Sequence, residues 1–269
     1  MIRNDRPIRE VWPADPTASL PEVRDDMPSV ISGILLQDPS VDALSVRDGT
    51  ALGLTGGYDL LAKVVETSDL HRFLLGRISN IQRISSPVPA DAPLAALLER
   101  YESTAFGHAL VAFQPKPRIV SVVDVVRLYR QGKLDSGLRL RDVATRPLPA
   151  VPRSMPLSEA ARIMVEHRVR RLEVLGEPRS MITDRSLIRV LFSAEMLEWA
   201  RRHSGQLPSL TVGALELRPV IELDAEMRIP TATWKFDPDV GDAISCSAGL
   251  VTPWDLVMKP FVRGDLTLL

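Results

Sequence analysis

Four times along this chain an apolar strand runs into a corner and a helix opens immediately after it. The segments are residues 52–61, 119–126, 180–188 and 248–258. Each carries a polar or small residue at the corner and an anchor three residues on: Gly56 with Asp59, Ser121 with Asp124, Thr183 with Ser186, Thr252 with Asp255. The anchors are separated by 65, 62 and 69 residues. A near-constant period of that size restricts the chain to an array of similar supersecondary units, each too small to bury an adequate core alone.

The corner has a chemistry of its own. A helix N-terminus leaves backbone N–H groups without intrahelical partners, and the helix dipole places partial positive charge there, so the position attracts anions. A hydroxyl there can donate to a phosphate oxygen, and a carboxylate can accept from both hydroxyls of a ribose. A single instance proves little, because Asp, Ser and Thr are favoured helix caps in any protein. Recurrence strengthens the reading. Two corners are complete, Ser121/Asp124 and Thr252/Asp255. In the first, Gly56 removes the hydroxyl and Thr55 should face the other side of the strand. In the third, Ser186 replaces the carboxylate, and Asp184 is displaced two positions from where it would be needed.

Composition narrows the classes. The 269 residues are 45% hydrophobic and 25% charged, as in ordinary globular proteins. A formal charge of −1 gives no broad pull toward nucleic acid or an anionic membrane. Cys246 stands alone, which excludes a disulfide framework and a cysteine-based metal site, and the four histidines show no close metal-ligand spacing. No apolar run reaches membrane-spanning length and the N-terminus lacks a signal peptide's apolar core, so a cytoplasmic protein is expected.

Periodicity then divides the chain into units over residues 1–75, 76–138, 139–205 and 206–269. In the first, residues 8–12 read as a short strand, 13–16 as a turn and 21–36 as a helix. Strands follow around Ala43–Leu44 and over 51–55, joined by an Asp-Gly turn at 48–49, before the helix from Asp59. The second unit repeats this order, with Asp91 as a helix cap, strands over 108–113 and 119–122, and a helix from Asp124. The third has a helix through Leu157, Ala160, Ala161 and Met164, strands over 172–175 and 181–183, then a long helix through Leu191 and Trp199 ended by Gly205. The fourth is degenerate. Residues 226–236 contain Pro230 and several β-formers, which predicts a lost or shortened first helix before a loop at 237–242.

The order β-α-β-β-α, the G-x-x-(S/T)-x-x-D corners and the lead-in Val143-Ala144-Thr145-Arg146-Pro147, followed by Leu157-Ser158-Glu159-Ala160-Ala161, resemble the cystathionine-β-synthase (CBS) domain. The resemblance spans the chain as four tandem units. It implies an α/β (α+β) fold in two pseudo-symmetric pairs, units one with two and three with four, similar in plan to the gamma subunit of AMP-activated protein kinase and to free-standing archaeal CBS proteins. It also implies a non-catalytic sensor that binds AMP, ADP or ATP in clefts between paired units and signals to a regulated protein. No cofactor or metal is required, and a homodimer is compatible with it. NAD or S-adenosylmethionine as the ligand remains open. So do a scaffold of the same fold with decayed sites and, as a third class, an enzyme or a nucleic-acid binder.

Carried over residue by residue, the resemblance gives Asp124, Asp255 and Asp59 a ribose and gives Ser121, Thr252 and Thr183 a phosphate. His167, Arg168, Arg170 and Arg171 form the densest basic patch. The resemblance assigns Arg170 and Arg171 to a phosphate in the Thr252/Asp255 cleft, while a solvated helix end with cations at its C-terminus explains the patch equally well. His108 could touch a phosphate or be a half-buried structural histidine. His71 and His203 read as surface residues. The tryptophans read as packing residues, with Trp254, beside Asp255, the one placed to do more.

Overall fold

A strand, a crossover helix and a second strand in one sheet make a parallel pair, and a tight turn then makes the next pair antiparallel. The computed structural model describes residues 2–12, 21–38, 41–49, 51–145, 148–176, 178–203, 209–236 and 243–269, and each repeat follows that rule. In the first, Glu22–Arg24 runs parallel to Ala43–Asp48, which pairs antiparallel with Ala51–Gly56. The corresponding strands are Val88–Pro89, His108–Ala112 and Arg118–Ser121 in the second repeat. They are Ala150–Val151, Arg171–Val174 and Ser180–Thr183 in the third, and Ile221–Glu222, Ile244–Cys246 and Gly249–Val251 in the fourth. One step in from each corner the register is the same: Leu44 opposes Thr55, Ala109 opposes Val120, Leu172 opposes Ile182 and Ile244 opposes Val251. All eight side chains are buried. The internal similarity is therefore fourfold at the level of strand pairing. Thr55 faces the side of the strand opposite to its neighbours in sequence, as alternation requires.

The repeats group differently from the expected one-with-two and three-with-four arrangement. One unit comprises Met1–Leu20, Ser85–Pro147 and Val220–Leu269, and so combines repeats two and four. The other comprises Pro21–Ile84 and Leu148–Pro219, combining repeats one and three. The helices that follow the corners explain this. Val122–Arg130 packs on Pro253–Arg263, and Gly57–Glu66 packs on both Leu157–Glu166 and Asp184–Leu191. Each unit has its own apolar core, one built around Leu97, Tyr101, Val125, Leu128 and Val257, the other around Leu44, Leu60, Met164, Leu187 and Phe192.

Several local expectations are corrected. Residues 8–12 are not a strand: Ile8–Val11 is a single helical turn started by Pro7, its first N–H groups bonded to the carbonyls of Ala92 and Ala90. The helix expected over 21–36 covers only Ser29–Leu35, because β-branched Val23 joins the sheet and Pro28 sets the helix start. Asp91 pairs with Arg9, and Pro93 precedes the helix Leu94–Thr104. The long helix of the third repeat breaks into Asp184–Leu191 and Ala194–Arg202, since the Ser193 hydroxyl accepts from the Met196 N–H at 3.1 Å and starts a new helix. The first helix of the fourth repeat is shortened, as expected, to Ile229–Ala232 with Pro230 in its first turn. The turn at 13–16, Gly205 and the loop at 237–242 lie outside the described residues. No described helix is long and apolar enough to cross a membrane.

Candidate functional site

Three corners place their polar side chains by one device, the reciprocal cap, and the first keeps half of it. The corner hydroxyl accepts from the N–H three residues on, and that residue's side chain reaches back to the corner N–H. At Ser121, the backbone N–H donates to Asp124 Oδ2 at 2.8 Å, Ser121 Oγ donates to the same oxygen at 3.1 Å, and the Asp124 N–H donates to Ser121 Oγ at 3.3 Å. At Thr252, the N–H and Oγ1 donate to Asp255 Oδ2 at 2.9 and 2.7 Å, and the Asp255 N–H returns to Oγ1 at 3.4 Å. The Gly56 N–H donates to Asp59 Oδ2 at 2.9 Å, with no hydroxyl to complete the box. At the third corner the Thr183 N–H reaches Ser186 Oγ at 3.4 Å, so a neutral hydroxyl caps where the others use a carboxylate.

The caps leave the second carboxylate oxygen of each aspartate for a cation. Asp124 Oδ1 accepts from Arg127 at 2.6 Å and lies 3.7 Å from Arg118. Asp255 Oδ1 lies 3.2 Å from Lys259 Nζ, which also donates to the Val143 carbonyl at 2.6 Å. Asp59 Oδ1 accepts from Arg83 Nε at 2.6 Å. The three aspartates are only 6%, 8% and 4% exposed for Asp59, Asp124 and Asp255, and a carboxylate that deep requires such partners. Burial nonetheless raises the Asp59 carboxyl above its ordinary pKa, only partly offset by Arg83 and the Gly56 N–H. Asp255 is the most enclosed: the single proton of the Thr145 hydroxyl is shared between its Oδ2 at 3.3 Å and the Leu250 carbonyl at 3.0 Å.

The cations and Thr145 were not singled out from sequence. Arg127 and Lys259 had a local signal, an acid followed three or four residues later by a base on a helix. Arg83 has none, and the lead-in that contains Thr145 does not say which residue it reaches, since each arrives from another part of the chain.

The unit of repeats one and three adds a second charged cluster. Asp184, at the first position of its helix, accepts from Arg170 Nε at 2.8 Å and from the Arg185 N–H at 3.0 Å. Arg185 pairs in turn with Asp42. Burial lowers the Arg170 pKa, but Asp184, Asp42 and Asp59 more than reverse this and raise it. A side chain added at Gly57 would bring its Cβ to 2.9 Å from Ile188 Cδ1 and 3.0 Å from Asp184 Oδ2, so glycine lets this helix end approach both. Asp184 takes no part in the cap of its own helix, which Thr183 and Ser186 close between them.

The remaining candidates fall as follows. His108, opposite Ser121 in the register, is 3% exposed and tilts against Phe106 at a 4.9 Å ring separation. Trp254 reaches the other complete corner's repeat, where a Cβ on Gly107 would lie 3.9 Å from its ring. Arg171 is half-buried opposite Thr183, and both Arg170 and Arg171 belong to the unit that does not contain Thr252 and Asp255. His203 is exposed and stacks on Trp199 at 3.6 Å, and His71 is half-buried. No group of three metal-ligating side chains exists among the described residues.

Residues 140–193 match the CBS domain family model. No curated protein matches the chain. Among solved structures, one from Methanocaldococcus jannaschii, named as a proposed archaeal homologue of γ-AMPK, superposes with a TM-score of 0.74 at 17% identity, covering 91% of this chain and 97% of that one. A conserved protein from Pyrococcus horikoshii superposes with a TM-score of 0.53 at 15% identity, covering 82% of this chain and 92% of that one.

Proposed function

From a chain whose residues 140–193 are a CBS domain and whose fold is that of tandem CBS proteins, we propose a non-catalytic sensor that binds an adenine nucleotide, AMP, ADP or ATP, at the corners Ser121/Asp124 and Thr252/Asp255 and passes its occupancy to a partner protein. One observation carries the reading: a single unit holds two complete hydroxyl–carboxylate pairs, each fixed at a helix N-terminus. The carboxylate accepts the ribose diol in place of its cation, and the helix end with its hydroxyl receives phosphate. Nothing in this arrangement performs chemistry on the ligand.

The test is a thermal-shift and calorimetric titration with AMP, ADP, ATP, NAD and S-adenosylmethionine. A ligand at 100 times its dissociation constant should stabilise the protein by roughly 2.7 kcal/mol. Asp124→Asn and Asp255→Asn are the informative variants, because an amide oxygen can still accept from the corner N–H while the charge is gone. Each should lose one site. Unchanged adenylate affinity in both would refute the assignment. The same titration on Arg170→Gln and Arg171→Gln reads whether the basic patch contributes to phosphate binding.

A second reading has its own support. Every corner carboxylate is already satisfied by cations of the chain itself, as in a scaffold of this fold that no longer takes ligand. No binding by any of the five compounds would favour it.

A further inference from the structure

The two complete corners differ in the cation that covers the carboxylate. At Asp255 it is a lysine also tied to the Val143 carbonyl. At Asp124 it is a pair of partly exposed guanidinium groups, Arg127 from one turn along the same helix and Arg118 from the start of the strand leading into the corner. Arg118 occupies the place that Gly53, Ser180 and Gly249 hold in the other repeats, so this charge belongs to the second repeat alone.

We propose that Arg127, assisted by Arg118, makes the Asp124 corner selective for a phosphorylated nucleoside by exchanging one anion for another. This rests on the reading of that corner as a ribose site. The ribose diol and the Arg127 guanidinium compete for the same oxygen, Asp124 Oδ1. A ligand that takes this oxygen deprives the guanidinium of a charge-assisted hydrogen bond. A 5′-phosphate, within an arginine side chain's swing of its own ribose, replaces the lost anion. A neutral nucleoside displaces the cation and returns nothing. Arg127 therefore opposes adenosine and favours AMP, and the two effects act on one residue with opposite sign.

The experiment uses the full chain with Asp255→Asn, so that one corner is read, and titrates AMP and adenosine by calorimetry. The parent should prefer AMP by about ten-fold or more, the worth of one charge-assisted contact. Arg127→Gln should weaken AMP by about ten-fold and leave adenosine unchanged or tighter, bringing the ratio toward one. Arg127→Lys should keep part of the preference, and Arg118→Gln should shift the ratio the same way by less, providing an independent variant if Arg127→Gln does not fold. Loss of AMP and adenosine binding in equal proportion, or an unchanged ratio in both glutamine variants, overturns the exchange and leaves the ribose site standing. Absence of binding by the parent, with Asp255→Asn folded, overturns the ribose reading and the exchange with it.

Discussion

The unit of repeats two and four and the unit of repeats one and three answer one electrostatic demand in two ways. In the first, both corner helices carry a carboxylate at the third position, where it bonds back to the corner N–H and caps its own helix. In the second, only the Gly57–Glu66 helix does so, and the Asp184–Leu191 helix carries its acid at the first position instead. Two residues are enough to redirect the group. From the third position the carboxylate turns inward to its own turn of helix, and from the first it reaches sideways to Arg170. The neighbouring helix start is crowded on that side: a Cβ at Gly57 would lie 2.9 Å from Ile188 Cδ1 and 3.0 Å from Asp184 Oδ2, whereas the equivalent position in the complete unit holds Val122. A self-capped corner and a cross-braced corner can thus be built from one repeat by moving one acid.

The largest effect that can sharpen this comparison lies at the opening residue of each corner strand. Gly249 sits at φ +135°, and a Cβ there would lie 2.0 Å from the Thr145 carbonyl oxygen, which is backbone bridged to Leu250. Gly53, at the same repeat position but without a positive φ, would meet the Gln82 side chain, its Oε1 at 2.4 Å and its Cβ at 3.0 Å, and no backbone atom. Gly249→Ala should therefore cost about 3 kcal/mol or more of unfolding free energy, and Gly53→Ala about 1 kcal/mol, as measured by urea denaturation. Equal costs would mean that the fourth corner is no more tightly held than the first.

Next in size is the anchor itself. Asp255→Ala strands the backbone N–H and hydroxyl donors of Thr252 and removes the counter-ion of Lys259, which keeps the Val143 carbonyl, and should cost about 2–4 kcal/mol. Ser186→Ala, at the equivalent position, removes two long neutral hydrogen bonds, from the Thr183 N–H at 3.4 Å and with the Thr183 hydroxyl at 3.2 Å, and should cost about 1 kcal/mol. If Ser186→Ala proved as damaging as Asp255→Ala, the carboxylate would not be what distinguishes the two units. The size of the Asp255 effect also means that an alanine variant confounds ligand loss with cap loss, which the asparagine variant avoids.

How far the sequence reached follows from the range of the interactions involved. Period and corner motifs were legible because each corner is closed by bonds between residues three apart, such as Ser121 to Asp124. The shortened fourth-repeat helix was legible because Pro230 acts on its own turn. The grouping of repeats was not, since every repeat carries the same kind of apolar helix, and the choice of Leu157–Glu166 as the partner of Gly57–Glu66 depends on shape rather than pattern. The break before Ala194 rests on one serine cap inside a run of helix-forming periodicity, a weak signal beside the run itself. Arg83 reaches Asp59 from 24 residues away, and Thr145 reaches Asp255 from 110. No local pattern announces Arg83, and the lead-in that contains Thr145 does not say which residue it reaches.

The smallest effect concerns protons. Burial raises the Asp59 carboxyl above its ordinary value of 3.8, with Arg83 and the Gly56 N–H offsetting only part. A carboxyl whose pKa is higher in the folded state binds its proton more tightly there, so its contribution to stability is present in full below the unfolded pKa and is lost as pH rises through the folded one. Asp59→Asn should remove that dependence. The stability of the parent relative to Asp59→Asn, taken from urea midpoints, is thus expected to fall as pH is raised from below 3.8 toward neutrality. A difference that grew with pH instead would mean that the Arg83 ion pair outweighs desolvation. The contrast between the units would then rest on Ser186 and Asp184 alone.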